Sequence, residues 1–245
     1  MKPTILISAC LNGLKYRYNG TSVNDEIVNK IKPLFNLINV CPEVEIGLGI
    51  PRKPIRLHKE NQEIKVIQED TNLDVTSKLK DFSYQTIKKY EDKIYGIILK
   101  SKSPSCGILN AKFFVDGKVY GRTYGLFAKI LKETLPYLPM IDEDRLKNKD
   151  LFFEFLTKVF LFYRFDYAKS NIKNLIDFHT KYKYIFMSIS QKHLKILGYL
   201  IAKYKKENFV KIQKEYEDNL KELLKLSFRK NNLINTLTHM FGNVS

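Results

Sequence analysis

The chain contains three cysteines, an odd and small number that excludes a disulfide framework, and none of them stand at C-x2-C spacing. No apolar run approaches the roughly 18 residues a membrane-crossing helix needs, so no transmembrane segment is expected. Arginine is scarce, at 7 residues against 35 lysines. No internal repeat and no low-complexity segment is present. An export signal is also lacking. Ile7-Ser8-Ala9-Cys10 looks like a lipidation box with Lys2 as its basic flank. Its apolar stretch, Ile5 to Ile7, is however far shorter than the roughly 7–15 residues of an h-region. A cytoplasmic protein is expected.

Within 245 residues, 44% are apolar and 13% aromatic, which excludes a disordered chain and leaves room for two domains. The net charge is +16. Residues 1–140 carry 22 basic and 14 acidic groups, and residues 141–245 carry 20 and 12. A polyanionic partner accounts for this excess. So does AT-rich coding, which produces the same abundance of Lys, Ile and Asn. The charge leaves both readings open.

The hydrophobic pattern alternates between strand and helix over the first 140 residues. Strands are expected at 4–10, 37–41, 63–68, 94–99 and 138–141, and helices at 25–36, from Thr76 to about 89, and 125–135. Asp116-Gly117 marks a hairpin between 113–115 and 119–120. Pro42 to Leu57, with Gly47, Gly49, Pro51 and Pro54, reads as a long loop. Beyond Asp142 the strand signals stop, and helices are expected at 151–165, 172–189, 191–204, 209–226 and 231–241. The fold class is therefore an α/β N-terminal domain with a largely parallel sheet, followed by an all-α C-terminal domain.

Each cysteine sits where an apolar run meets a turn: Cys10 before Leu-Asn-Gly13, Cys41 before Pro-Glu43, Cys106 within Ser103-Pro-Ser105-Cys106-Gly107. Ligands in open α/β sheets bind at the carboxyl ends of the strands, so three thiols separated by 31 and 65 residues can converge there. Four readings remain open. The thiols can be buried small hydrophobes. They can bind zinc with a fourth ligand such as His58, although Arg56 and Lys59 flank that residue. One can be a nucleophile. Or all three can hold a [4Fe-4S] cluster that keeps one iron free of protein ligands.

A resemblance narrows these readings. The segments Cys10-Leu-Asn-Gly13 with Tyr16-Arg17-Tyr18-Asn19-Gly20, Cys41-Pro-Glu43-Val44 with Gly47-Leu48-Gly49-Ile50-Pro51-Arg52, and Lys100 to Gly107 resemble the DUF523 family, of the thiouracil-desulfidase type. The stretches Phe178-His179-Thr-Lys181-Tyr-Lys183 and Asn235-Thr-Leu-Thr-His239-Met-Phe-Gly242 resemble the DUF1722 domain. Proteins that fuse the two are similar to bacterial desulfidases that remove the sulfur of 4-thiouridine from tRNA. The resemblance implies a DUF523-like domain at 1–146, a connecting helix at 147–169 and a DUF1722-like domain at 170–245. Relatives usually continue past the His239 motif, so the helical domain is expected to be truncated or minimal.

By the same resemblance Cys10, Cys41 and Cys106 bind a [4Fe-4S] cluster whose open iron takes the sulfur of a thiolated pyrimidine. Glu43 is the expected base, with Glu45 a poorer candidate, and Ser103 the expected proton relay. Arg17, Arg52 and Ser105 are expected to bind substrate, although either guanidinium can instead fix a loop through a salt bridge. His179, Lys181 and Lys183 are expected to contact RNA. Glu43 has a competing reading as a loop carboxylate paired with Arg52. The rival functions are a desulfidase of a free thiobase such as 2-thiouracil, and a non-catalytic RNA-binding module whose cluster senses redox state.

Overall fold

The computed structural model describes residues 2–60, 63–205 and 208–228. In chain order its first elements are β1 (Thr4–Ser8), α1 (Glu26–Ile31), β2 (Asn36–Val40), α2 (Pro42–Glu45), β3 (Ile55–Glu60) and β4 (Glu63–Gln68). There follow β5 (Leu73–Asp74), α3 (Thr76–Tyr90), β6 (Gly96–Leu99), β7 (Ala111–Val115), β8 (Lys118–Thr123), α4 (Leu126–Thr134), β9 (Met140–Asp142) and α5 (Lys149–Ala168). The helices α6 (Ile172–Ile189), α7 (Gln191–Ala202) and α8 (Phe209–Lys225) complete the described chain. Two compact units result: Met1–Pro136 with Met140–Phe155, and Tyr137–Pro139 with Leu156–Ser245.

The first unit holds two sheets. One is four-stranded and parallel throughout, in the order β2-β1-β6-β9. Its central strands read as unbroken apolar runs because both their faces are covered, and Ile5, Leu6, Ile7 and Ile98 have no exposed surface. The α/β expectation holds here. The other sheet, β5-β4-β3-β7-β8, is mixed: only β3 and β7 run parallel in it. Its middle strand β3 lies partly in the stretch read from the sequence as a loop. Pro51 and Pro54 hide a strand that begins at Ile55 and alternates buried Ile55 and Leu57 with exposed Arg56. The β7–β8 turn is built as expected, with Asp116 and Gly117 both at positive φ (47° and 74°), the conformation a two-residue hairpin requires.

Two helix starts and stops differ from expectation. Asp25 caps α1 by accepting from the Ile27 and Val28 amides, but α1 ends at Ile31. Pro33 then tightens the chain into a 3-10 turn at Lys32–Leu34, since proline lacks the amide the helix needs. Thr76 does not cap α3. Its hydroxyl accepts from the Val66 amide of β4 at 2.8 Å, while the Thr76 amide donates to the Asp74 carboxylate at 2.8 Å.

The second unit is helical. Leu161, Phe165, Leu175, Phe178, Phe186, Leu197, Leu220 and Leu223 form its core around Tyr216, whose ring is fully buried and stacked on Phe165. Asn171 and Ser190 cap α6 and α7 by accepting from amides of their first turns. The helix expected at 231–241 lies outside the described residues. No described helix is long and apolar enough to cross a membrane.

Candidate active site

The parallel pairing of β2, β1 and β6 puts their carboxyl ends on one edge. Cys10 stands in the 3-10 turn Ala9–Asn12 directly after β1, Cys41 directly after β2, and Cys106 in the loop after β6. The three thiols line one cavity of about 320 Å³. Cys106 is buried, and Cys10 and Cys41 are half-buried.

Burial sets the chemistry of these thiols. It pushes the Cys10 thiol up to about 11; the neighbouring Cys41 adds to this, and Lys100 and Arg17 work against it. Cys41 is raised chiefly by burial. Cys106 is raised furthest, again by burial, with hydroxyls of Ser8 and Ser105 partly offsetting it. Three neighbouring thiols whose burial, partial or full, opposes ionisation become thiolates together only when a cation compensates them, as a metal centre does. Their donor chemistry therefore suits a thiolate-ligated metal group. Among the described residues no three His, Cys, Asp or Glu side chains converge to hold a single metal ion. His58, the possible fourth zinc ligand, lies on β3 with its ring stacked against Phe114 and does not line the cavity.

Glu43, on the first turn of α2, lines the same cavity. Its Oε2 accepts from Arg52 Nε at 2.9 Å and Nη2 at 2.8 Å, with the two side chains only 12% and 3% exposed. Its Oε1 accepts from Ser105 Oγ at 2.8 Å and from Ser103 Oγ at 3.4 Å. The two hydroxyls are 3.0 Å apart. Ser103 Oγ also accepts the amides of Ser105 and Cys106, each at 3.2 Å, which folds the turn around Cys106. Ser105 is therefore the hydroxyl nearer the carboxylate, and Ser103 is the one that shapes the loop. Gly107 allows this turn, because a Cβ there would meet the Ser103 carbonyl at 2.8 Å.

The guanidinium of Arg52 is engaged by Glu43 and the Gly49 carbonyl, with Nη2 4.0 Å from Cys41 Sγ. That is the loop-fixing role. Arg17 lines the cavity, is half-buried and donates to Thr21 Oγ1, with no carboxylate partner among the described residues. Glu45, unlike Glu43, does not line the cavity. Sequence reasoning missed a further cluster on the cavity wall. Lys100 Nζ bonds the buried Glu143, which also accepts from the Ser101 amide and hydroxyl at 2.7 Å each, and the Lys100 amide donates to Ser8 Oγ. Nothing local flags Glu143, which follows β9 and belongs to no motif around the cysteines.

His179, Lys181 and Lys183 lie on α6 in the second unit. His179 is half-buried, with Nδ1 3.0 Å from the hydroxyl of Tyr216 and its ring against Phe186. Burial, assisted by Lys183, holds its pKa below the ordinary 6.5. It is a packed residue of the helical core, and its expected contact with phosphate finds no support in this geometry. Lys181 and Lys183 are exposed, each over a neighbouring tyrosine ring, Tyr182 and Tyr184. His239 lies outside the described residues.

Comparison with known proteins follows the same division. A solved structure described as a [4Fe-4S]-dependent thiouracil desulfidase, TudS, is 26% identical, with a TM-score of 0.46, over 60% of this chain and 94% of that one. The uncharacterized protein YbbK of Bacillus subtilis (strain 168) is 29% identical over 139 residues, 53% of this chain and 89% of its own length. Residues 183–245 match a protein family of unknown function, DUF1722. Residues 5–143, which carry all three cysteine turns and Glu43, match the 2-thiouracil desulfurase model, and the chain is a member of that enzyme family.

Proposed function

We propose that the protein is a [4Fe-4S]-dependent hydrolytic desulfidase of thiolated pyrimidines, acting on 4-thiouridine in cytoplasmic tRNA. The observation that carries this reading is the meeting of three thiols and a hydroxyl-bonded carboxylate in one cavity. Cys10, Cys41 and Cys106 would hold the cluster, which supplies a Lewis-acidic iron for the thiocarbonyl sulfur. The overall change is hydrolytic: a C–O bond replaces the C–S bond, water supplies the oxygen, and the sulfur departs as hydrogen sulfide. No oxidant or reductant is required.

Glu43 is the residue that takes a proton from the attacking water. Arg52 engages Oε2, so Oε1, facing Ser105 and Ser103, is the oxygen that works. Ser105 relays that proton onward, and Ser103 keeps Ser105 and Cys106 in register. Arg17, free of any carboxylate among the described residues, presents a cation to an electronegative edge of the substrate. The +16 charge and the exposed Lys181 and Lys183 support a tRNA partner. A cavity of about 320 Å³ also admits a free base, so 2-thiouracil is the second substrate to test.

A sensor would need the cysteines and no base, and the Glu43 arrangement argues for catalysis. The test is anaerobic reconstitution followed by an absorbance spectrum, an iron and sulfide count, and turnover of both substrates. Four irons per chain, lost when any one cysteine becomes serine, are expected together with loss of 4-thiouridine absorbance from bulk tRNA. Stoichiometric zinc without iron after strict anaerobiosis would overturn the reading.

A further inference from the structure

The mixed sheet β5-β4-β3-β7-β8 buries one set of alternate positions and exposes several of the other set. Leu57, Val66 and Ala111 point into the core with no exposed surface. The alternate positions Arg56, Lys112 and Arg122 are exposed. Strand register sets these three cations in a row. Lys112 pairs with Arg122 across β7 and β8, and Leu57 pairs with Phe113, so the preceding Arg56 falls beside Lys112. The Arg56 guanidinium lies over the Phe114 ring on this same face, and His58 stacks on that ring as well. Neighbouring strands are about 4.8 Å apart, so the row extends for about 10 Å.

Charge balance differs across the sheet. On the β3, β4 and β5 side three cations are matched: Lys53 with Asp70, Arg56 with Glu69, Lys65 with Glu60. On the β7 and β8 side Lys112 and Arg122 have no carboxylate partner among the described residues. Tyr120 on β8, 73% exposed, belongs to the same hairpin, with its ring against Phe113, the register partner of buried Leu57. Two unpaired cations in cross-strand register suit the phosphates of a nucleic-acid strand.

The row is joined along the chain to segments that line the cysteine cavity. Ile55 lines the cavity and Arg56 is the next residue. Lys112 is the second residue of β7, which follows the Cys106 loop. Arg122 comes shortly before Gly125, where a Cβ would stand 2.5 Å from the Ser105 carbonyl group. We infer that the exposed side of this sheet is a binding surface for an RNA strand, with the cross-strand pair Lys112 and Arg122 taking its phosphates. What enters the cavity rests on the desulfidase reading; the strand surface rests on its own charge and register.

The test uses the full chain and fluorescently labelled bulk tRNA, titrated at several salt concentrations. Lys112→Gln/Arg122→Gln should weaken binding about tenfold at about 100 mM salt and flatten the log K against log salt slope by about 1.4–1.8, two phosphate contacts. A matched pair on the exposed face of α3, Lys78→Gln/Lys88→Gln, removes the same net charge and should leave affinity within about twofold of the wild type. Circular dichroism and 2-thiouracil turnover report that the sheet variant is folded and its cavity intact. Equal losses in both pairs would overturn the assignment and leave net charge as the cause. So would unchanged tRNA binding in the sheet pair, including the case where that pair loses binding to anionic lipid vesicles instead. A chain that binds RNA through this face and desulfurates neither substrate would support the surface while refuting the enzymatic reading.

Discussion

Arg52 places both Nε and Nη2 on a single oxygen of Glu43, at 2.9 and 2.8 Å, and leaves the other oxygen to serine hydroxyls. The carboxylate thereby has one oxygen held by the guanidinium and one held by hydroxyls. The Arg52 guanidinium, in a nearly buried site, holds the Oε2 side. The hydroxyl side faces Cys106.

Glu43→Gln tests this division. The amide oxygen still accepts from Arg52, so the cluster loads as in wild type. Turnover should fall by about 10²–10⁴, the usual contribution of a positioned acid–base group. Single-turnover assays on cluster-replete protein measure it, and near-normal rates would move the base elsewhere.

Without metal, the thiols should be unusually inert. A thiol raised to about 11, as Cys10 is, has at neutral pH a thiolate fraction on the order of 10²-fold below that of a free cysteine. Alkylation of the apoprotein followed by mass spectrometry should find Cys10 slow and the buried Cys106 slower still. Fast labelling of Cys106 would contradict the burial that drives its shift.

Glu143→Ala should destabilise the first unit by about 3–5 kcal/mol, because it leaves Lys100 and the Ser101 groups without their acceptor. Glu143→Gln keeps an acceptor and should cost less. Thermal melting of the apoprotein ranks the two, and equal melting temperatures would show that the Lys100 pair contributes little.

The helical unit should lose stability on acidification. His179 has a folded pKa depressed below 6.5, so near that pH the unfolded chain binds the extra proton first. Stability is fully present above about 6.5 and declines as pH falls toward the folded value. An NMR titration of the His179 ring should give a value under 6.5, and a value above it would reverse the sign.

The cysteine turns were legible because each joins a short apolar strand to Gly or Pro, a local pattern. Parallel pairing then brings them to one edge, as the α/β pattern implies. Glu43 was legible from its closeness to Cys41. Its partners were less so: Arg52 could be paired or free in the sequence, and only the fold shows it held. Ser105 and Ser103 differ by one position either side of a proline, and their distances to Glu43 depend on how the turn closes. The mixed sheet was hidden because β3 follows two prolines and its pairing to β7 is long-range. Glu143 had no local signal at all.

The turn that carries Cys106 gives up its carbonyls to the start of α4. The Leu126 and Ala128 amides donate to Pro104 and Ser105, and the Gly125 amide to Gly107. These are first-turn amides, the ones a helix normally leaves to a capping side chain, and no capping side chain serves α4. The buried thiol and the beginning of a helix are thus one cooperative object. Loosening the wall of the cavity means fraying α4, so the two should share a single hydrogen-exchange rate.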